Sequence, residues 1–206
     1  LKWSKRRRYY MITFSIAVFF FFITPGPAVL SVAGVGSAFG PGPGVRYIAG
    51  LFVGTNIVSI AIASGTAAVV LADKDIRMFL LLASVGYLVV LAFKIAFAGS
   101  NIAFGNPGKP PGFMSGVILQ TVNPKAYAVG TTLFTGFAFF PDSLVSETVI
   151  KFIIINAIWV PMHFVWLYAG VYIRTLNLAS YIQRRINFMM ALSMLIVVGL
   201  ALIAPK

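Results

Sequence analysis

Thr24-Pro25-Gly26-Pro27 and Asn123-Pro124-Lys125 interrupt two otherwise apolar stretches, and Asn123 follows Thr24 by 99 positions in a chain of 206. In lipid an interior proline removes a hydrogen bond that no water replaces, so such a break persists only where protein or a water-filled cavity surrounds it. Taken alone, either motif reads as a plain proline kink. A pair, one per half, is the pattern of a transporter whose binding site is built from discontinuous helices.

The surrounding composition agrees. Hydrophobic residues make up 60% of the chain and charged residues 10%, a balance of polytopic membrane proteins. The 16 Lys and Arg against 4 Asp and Glu give a net charge of +12. Most of these charges lie between apolar spans, which fits orientation in a bilayer and argues against a nucleic-acid partner. With no cysteine and a single histidine, His163, there is no basis for a metal site or a cofactor.

About 20 apolar residues make one crossing, and six spans follow: 11–38, 45–72, 78–98, 113–140, 148–173 and 186–204. As single helices the first and fourth would be about 40 Å long, beyond the roughly 30 Å of the hydrocarbon core. Of the spans of this length, the first and fourth carry the breaks, so each is expected to be a pair of half-helices. The linker 99–112 is dense in Gly and Pro and divides the chain into halves 11–98 and 113–204. Three spans is an odd number, so a duplicated second half enters from the opposite side. The expected fold is an all-α membrane protein of six transmembrane helices, two inverted three-helix repeats with helices 1 and 4 broken, forming one transporter domain over 11–206.

Placing odd-numbered connections in the cytoplasm collects Arg46, Lys94, Lys109, Arg174, Arg184 and Arg185 there, and Asp73, Asp75, Asp142 and Glu147 on the other side. Lys2, Lys5, Arg6, Arg7 and Arg8 then violate the positive-inside tendency. Residues 1–10 are accordingly read as a basic extension ahead of a native start at Met11. The rival is a signal peptide ending near Ser31-x-Ala33, which would orphan one span.

Threonine before proline is a helix-start signal: the hydroxyl caps free amides, and proline suits the first helical position. Asn123-Pro124 has the same grammar. Each break is thus expected to restart a helix within the membrane, with its positive end facing an anion such as a carboxylate. Lys125 lies about 18 Å along its span from Phe113, too deep for easy snorkelling, and a cation at a helix N-terminus is unfavourable. A substrate carboxylate would relieve both; solvation in an aqueous vestibule is the alternative. The candidate substrate-binding residues are Thr24, Pro25, Gly26, Pro27, Asn56, Asn123, Pro124 and Lys125. Asn56 follows Gly50-x-x-x-Gly54, a small-residue pattern that equally suits interhelical bonding. His163 is a candidate proton relay, set against a packed, bonded side chain beside Trp159 and Trp166.

Gly105-x-x-Gly108-Lys109 lacks the spacing and Ser/Thr of a phosphate loop, and Gly40-x-Gly42-x-Gly44 fails the dinucleotide pattern. With no ATP site, uphill transport would draw on an ion gradient. An enzyme acting on lipid lacks an acid/base pair.

Thr24-Pro25-Gly26-Pro27, Gly50 and Gly54, Gly86-Tyr87-Leu88, Asn123-Pro124-Lys125, and Asn187 with Gly199 together resemble the LysE/RhtB family of amino-acid exporters, along almost the whole chain from Met11. The Gln120–Asn123 context and the Asn187 region look somewhat like the branch exporting cysteine and O-acetylserine. Two features differ: Ala28 stands where family members often have Asn or Asp, and the first cytoplasmic loop offers only Arg46. The resemblance implies a multi-pass carrier of the bacterial inner membrane that exports small amino acids or their derivatives, driven by the proton motive force. Its partners would be the amino-acid substrate and the lipid bilayer, with a homodimer left open. The alternative is an efflux protein or channel for inorganic ions or metals.

Overall fold

The computed structural model describes residues 2–24, 26–67, 72–97, 109–140, 143–176 and 178–203. Pro25, Asp142 and most of the linker 99–112 therefore lie outside the described residues. Helices account for every regular element among them: α1 (Lys2–Ile23), α2 (Pro27–Phe39), α3 (Pro41–Ala63), α4 (Lys74–Ala96), α5 (Phe113–Val122), α6 (Pro124–Thr135), α7 (Leu144–Thr175) and α8 (Ser180–Ile203).

Both expected breaks are present. α1 from Arg7 and α2 meet at a bend of 52°, and only Asn123 separates α5 from α6. By length and composition α3, α4 and α7 can each cross a membrane, and the bent α1–α2 pair brings the number to as many as four. α1 runs back through the basic residues to Lys2, because nothing between Lys2 and Met11 breaks a helix. α4 and α7 also begin before their apolar runs. Asp73 caps the first with Oδ1 accepting from the amides of Asp75 and Ile76 at 2.8 and 3.0 Å, and the Ser143 hydroxyl caps the second.

Apolar side chains cover the outer faces of these helices, with Phe79 69% and Leu82 58% exposed on α4 and Ile153 and Val165 both 61% exposed on α7. Ser31, Ser37, Gln120, Asn123, Glu147, Lys151 and Asn187 are buried. Polar side chains are thus set into an apolar interior while the outer faces are apolar, an arrangement that a lipid solvent allows and water penalises. The fold is that of an all-helical, multi-pass membrane protein.

Glycines set the closest approaches. A Cβ on Gly50 would overlap the Phe113 carbonyl, and one on Gly116 the Tyr47 carbonyl, so the backbones of α3 and α5 touch. Gly36 and Gly170 bring α2 and α7 together in the same way, against the Leu167 and Ala33 carbonyls. Without a hydrophobic drive between helices in lipid, this close packing supplies the attraction. Tyr47, Leu51, Leu88, Leu91, Leu119, Trp159 and Leu167 fill the core between these contacts.

α2 turns sharply into α3 at Gly40, whose φ of 84° is a conformation that side-chain-bearing residues rarely adopt. Arg174 Nη1 donates to the Ala38 carbonyl at 2.7 Å, placing a cation on the negative end of α2. At the far end of α6 a buried ion pair does similar work. Lys151 Nζ donates to Glu147 Oε1 at 2.7 Å and to the carbonyls of Phe134 and Phe137, while Glu147 Oε2 accepts from the amides of Phe139 and Phe140. Every group of this cluster is partnered, which makes a buried pair tolerable.

Candidate functional site

The two breaks meet. Lys125, in the first turn of α6, extends its side chain across the gap, and Nζ donates to the Thr24 carbonyl at 3.0 Å. Gly26 makes room for it, since a Cβ there would lie 2.9 Å from Lys125 Nζ and 3.0 Å from Cδ. Beside this contact opens a cavity of about 610 Å³, counting its open mouth. α1 contributes Phe21 and Phe22; α3 contributes Thr55 and Ser59; α7 contributes Ile155, Trp159 and His163. Gln120, Asn123 and Lys125 come from the second break, Thr24 and Gly26 from the first.

The two helix starts differ. Asn123 behaves as its sequence context predicts: Oδ1 accepts from the Lys125 amide at 3.1 Å, and Pro124 takes the first helical position. Asn123 also accepts on its own carbonyl from the Ala126 amide at 3.0 Å, so α6 satisfies its leading amides locally. Thr24 does not cap α2. Its hydroxyl turns back and donates to the Phe20 carbonyl at 2.6 Å, a bond offered by the last turn of α1. The N-cap of α2 is Gly26, extended and without a side-chain cap. The first turn of α2, with Ala28 and Val29 on the cavity wall, carries no side-chain cap among the described residues.

Lys125 is half-buried and is eased by the protein itself. Neither expectation, a substrate carboxylate or solvation in a vestibule, included the carbonyl end of α1, whose negative pole the ammonium meets. The second break receives the equivalent service from Tyr127, whose hydroxyl donates to the Thr121 carbonyl at 2.8 Å. An ammonium has three donors. The bond to Thr24 uses one and leaves capacity for an anion in the cavity, where no carboxylate appears among the described lining residues.

The remaining candidates divide. Pro27 and Pro124 occupy first helical positions and do not line the cavity; Pro27 is buried and Pro124 exposed. Asn56 is off the cavity wall. Its amide exchanges hydrogen bonds with that of Asn156 at 3.2 and 3.0 Å and donates to the Phe52 carbonyl at 2.9 Å, the interhelical role its glycine-rich context also allowed. His163 is on the wall and stacked on Trp159.

Thr55, Ser59 and Trp159 carry no signal in the sequence that marks them as site residues. Thr55 and Ser59 stand one turn apart on α3, and only the packing of the helices turns that face toward the cavity. The partnered Glu147–Lys151 spacing of four residues, by contrast, is a readable helix-pair signal. Among the described residues no cluster of His, Asp or Glu could hold a metal ion.

A scan against protein-family models finds no match, and neither a search of curated proteins nor one of solved structures returns a similar chain.

Proposed function

We propose that the chain is a secondary transporter that exports small amino acids or their derivatives, holding the substrate carboxylate between Lys125 Nζ and the open first turn of α2. The observation that carries this reading is the convergence of an ammonium and an uncapped helix N-terminus over Gly26. Both features attract a carboxylate, and the described lining residues offer no acidic group to compete for them. The same charge pattern disfavours a metal cation as cargo.

The wider architecture of the proposal is six spans in two inverted repeats, with α1–α2 and α5–α6 as broken spans 1 and 4 and α8 as span 6. The Asn56–Asn156 pair supports it. Two residues 100 positions apart that exchange equivalent bonds are what a two-fold axis relating the halves produces. A bacterial inner-membrane location, drive by the proton motive force and kinship with the LysE/RhtB exporters rest on the sequence motifs.

The test is expression in a sensitive host and growth across a panel of toxic amino acids, their analogues and metal salts. Protection confined to amino acids, and lost in Lys125→Ala at equal membrane expression, is the expected result. Protection by the Lys125→Ala variant equal to that of the parent would remove the carboxylate site, and protection against metal salts alone would replace the cargo.

A further inference from the structure

Trp159 and His163 stand one turn apart on α7 with rings stacked, centroids 3.6 Å apart and planes 17° from parallel. Both line the cavity; Trp159 is 0% and His163 2% exposed. His163 Nδ1 lies 2.9 Å from the Trp159 carbonyl oxygen. That oxygen can only accept, so Nδ1 carries the proton, and the neutral ring presents Nε2 as an acceptor. The Trp159 indole N–H is a donor only. Neither Nε2 nor the indole nitrogen finds a hydrogen-bond partner among the described residues, and both are closed to solvent. Buried polar atoms are seldom left without a hydrogen-bond partner in a folded protein.

We propose that these two nitrogens form the polar end of the ligand site and bind one ligand group that both donates and accepts, a hydroxyl or a carboxamide. This rests on the carboxylate reading of Lys125, which fixes the other end of the ligand. The assignment follows from matching donors to acceptors. An ammonium only donates and would leave the indole N–H unpaired. A second carboxylate only accepts and would set its lone pairs against that of Nε2. An apolar side chain would satisfy neither. A hydroxyl donates to Nε2 and accepts from the indole, and a carboxamide does the same through its nitrogen and oxygen. Because both ring atoms are covered, the ligand reaches them with a side-chain movement in the wall. A hydroxyl donating to Nε2 also keeps the imidazole neutral, which gives His163 a duty in recognition apart from any in proton movement.

Calorimetric binding to the purified full chain in detergent micelles tests this with two matched pairs: L-threonine against L-valine, and L-asparagine against L-leucine. Each pair keeps its shape and changes the polar group. Sites built to hydrogen-bond a ligand group reject the analogue lacking it strongly, so the polar member of at least one pair should bind about tenfold tighter or more. The pair that shows the preference separates hydroxyl from carboxamide. In His163→Phe and Trp159→Phe, the preference should shrink to within about threefold. Equal binding within both pairs, still dependent on Lys125, overturns the polar subsite and leaves the carboxylate reading standing. A preference that persists in both folded variants also overturns it. Failure of monodisperse protein to bind any of the four removes the carboxylate reading and this inference with it. The comparison on the unsubstituted protein decides the matter even if neither variant folds.

Discussion

The first break and the second share one sequence grammar, a polar residue ahead of proline, and end as different chemical objects. At the second, Asn123 reaches its own helix and closes it. At the first, Thr24 turns back onto α1 and leaves α2 with a bare glycine at its start. Lys125 then leaves the closed site and enters the open one. One break supplies the arm and the other the socket. An asparagine at the N-cap itself spends its oxygen on the helix it precedes, whereas a threonine two residues upstream still belongs to the previous turn and finds a carbonyl there.

This asymmetry is exposed to test. Lys125→Ala removes the arm and should lower carboxylate affinity by about thirtyfold to a hundredfold, since a hydrogen bond to a charged group is worth up to about 3 kcal/mol, roughly twice a neutral one; isothermal titration with an amino-acid ligand reads the loss. Gly26→Val fills the socket. Its side chain would meet the lysine tail, which is flexible and can swing away, so the protein should fold while affinity falls about tenfold, in line with loss of one good polar contact. Asn123→Ala should lower stability by about 1 kcal/mol, the usual worth of an N-cap, seen as a lower Tm in detergent. Thr24→Val should change stability by less than about 0.5 kcal/mol, because its hydroxyl caps nothing and lies exposed. If Thr24→Val proved as costly as Asn123→Ala, the two starts would be alike after all.

Much of this was legible in the chain. The breaks stood where proline after a polar residue put them, Asn123 capped as its side chain dictates, and Gly50 and Gly54 marked a close helix contact. These are local signals, read within a turn or two. Asp73 and Ser143 were equally local, and reading them as caps would have placed the starts of α4 and α7 correctly. The Glu147–Lys151 pair also lay at helical spacing. What local spacing cannot supply is which surfaces face one another. The reach of Lys125 to Thr24, the exchange between Asn56 and Asn156, and the convergence of Ser59, Gln120 and His163 on one cavity join residues far apart in sequence. They depend on how the helices pack, and the glycine contacts that fix the packing name no partner in advance.

The central claim is that a substrate carboxylate sits on Lys125 at the start of α2. Solid-state NMR measures it directly, through the dipolar coupling between the ¹³C-carboxyl of a bound amino-acid ligand and ¹⁵Nζ-labelled lysine, with Lys125→Arg assigning the signal. A charge-assisted bond places the two nuclei about 3.5 Å apart, so a strong coupling that vanishes in Lys125→Arg is the expected result. Bound ligand with no coupling to Lys125 would contradict the account.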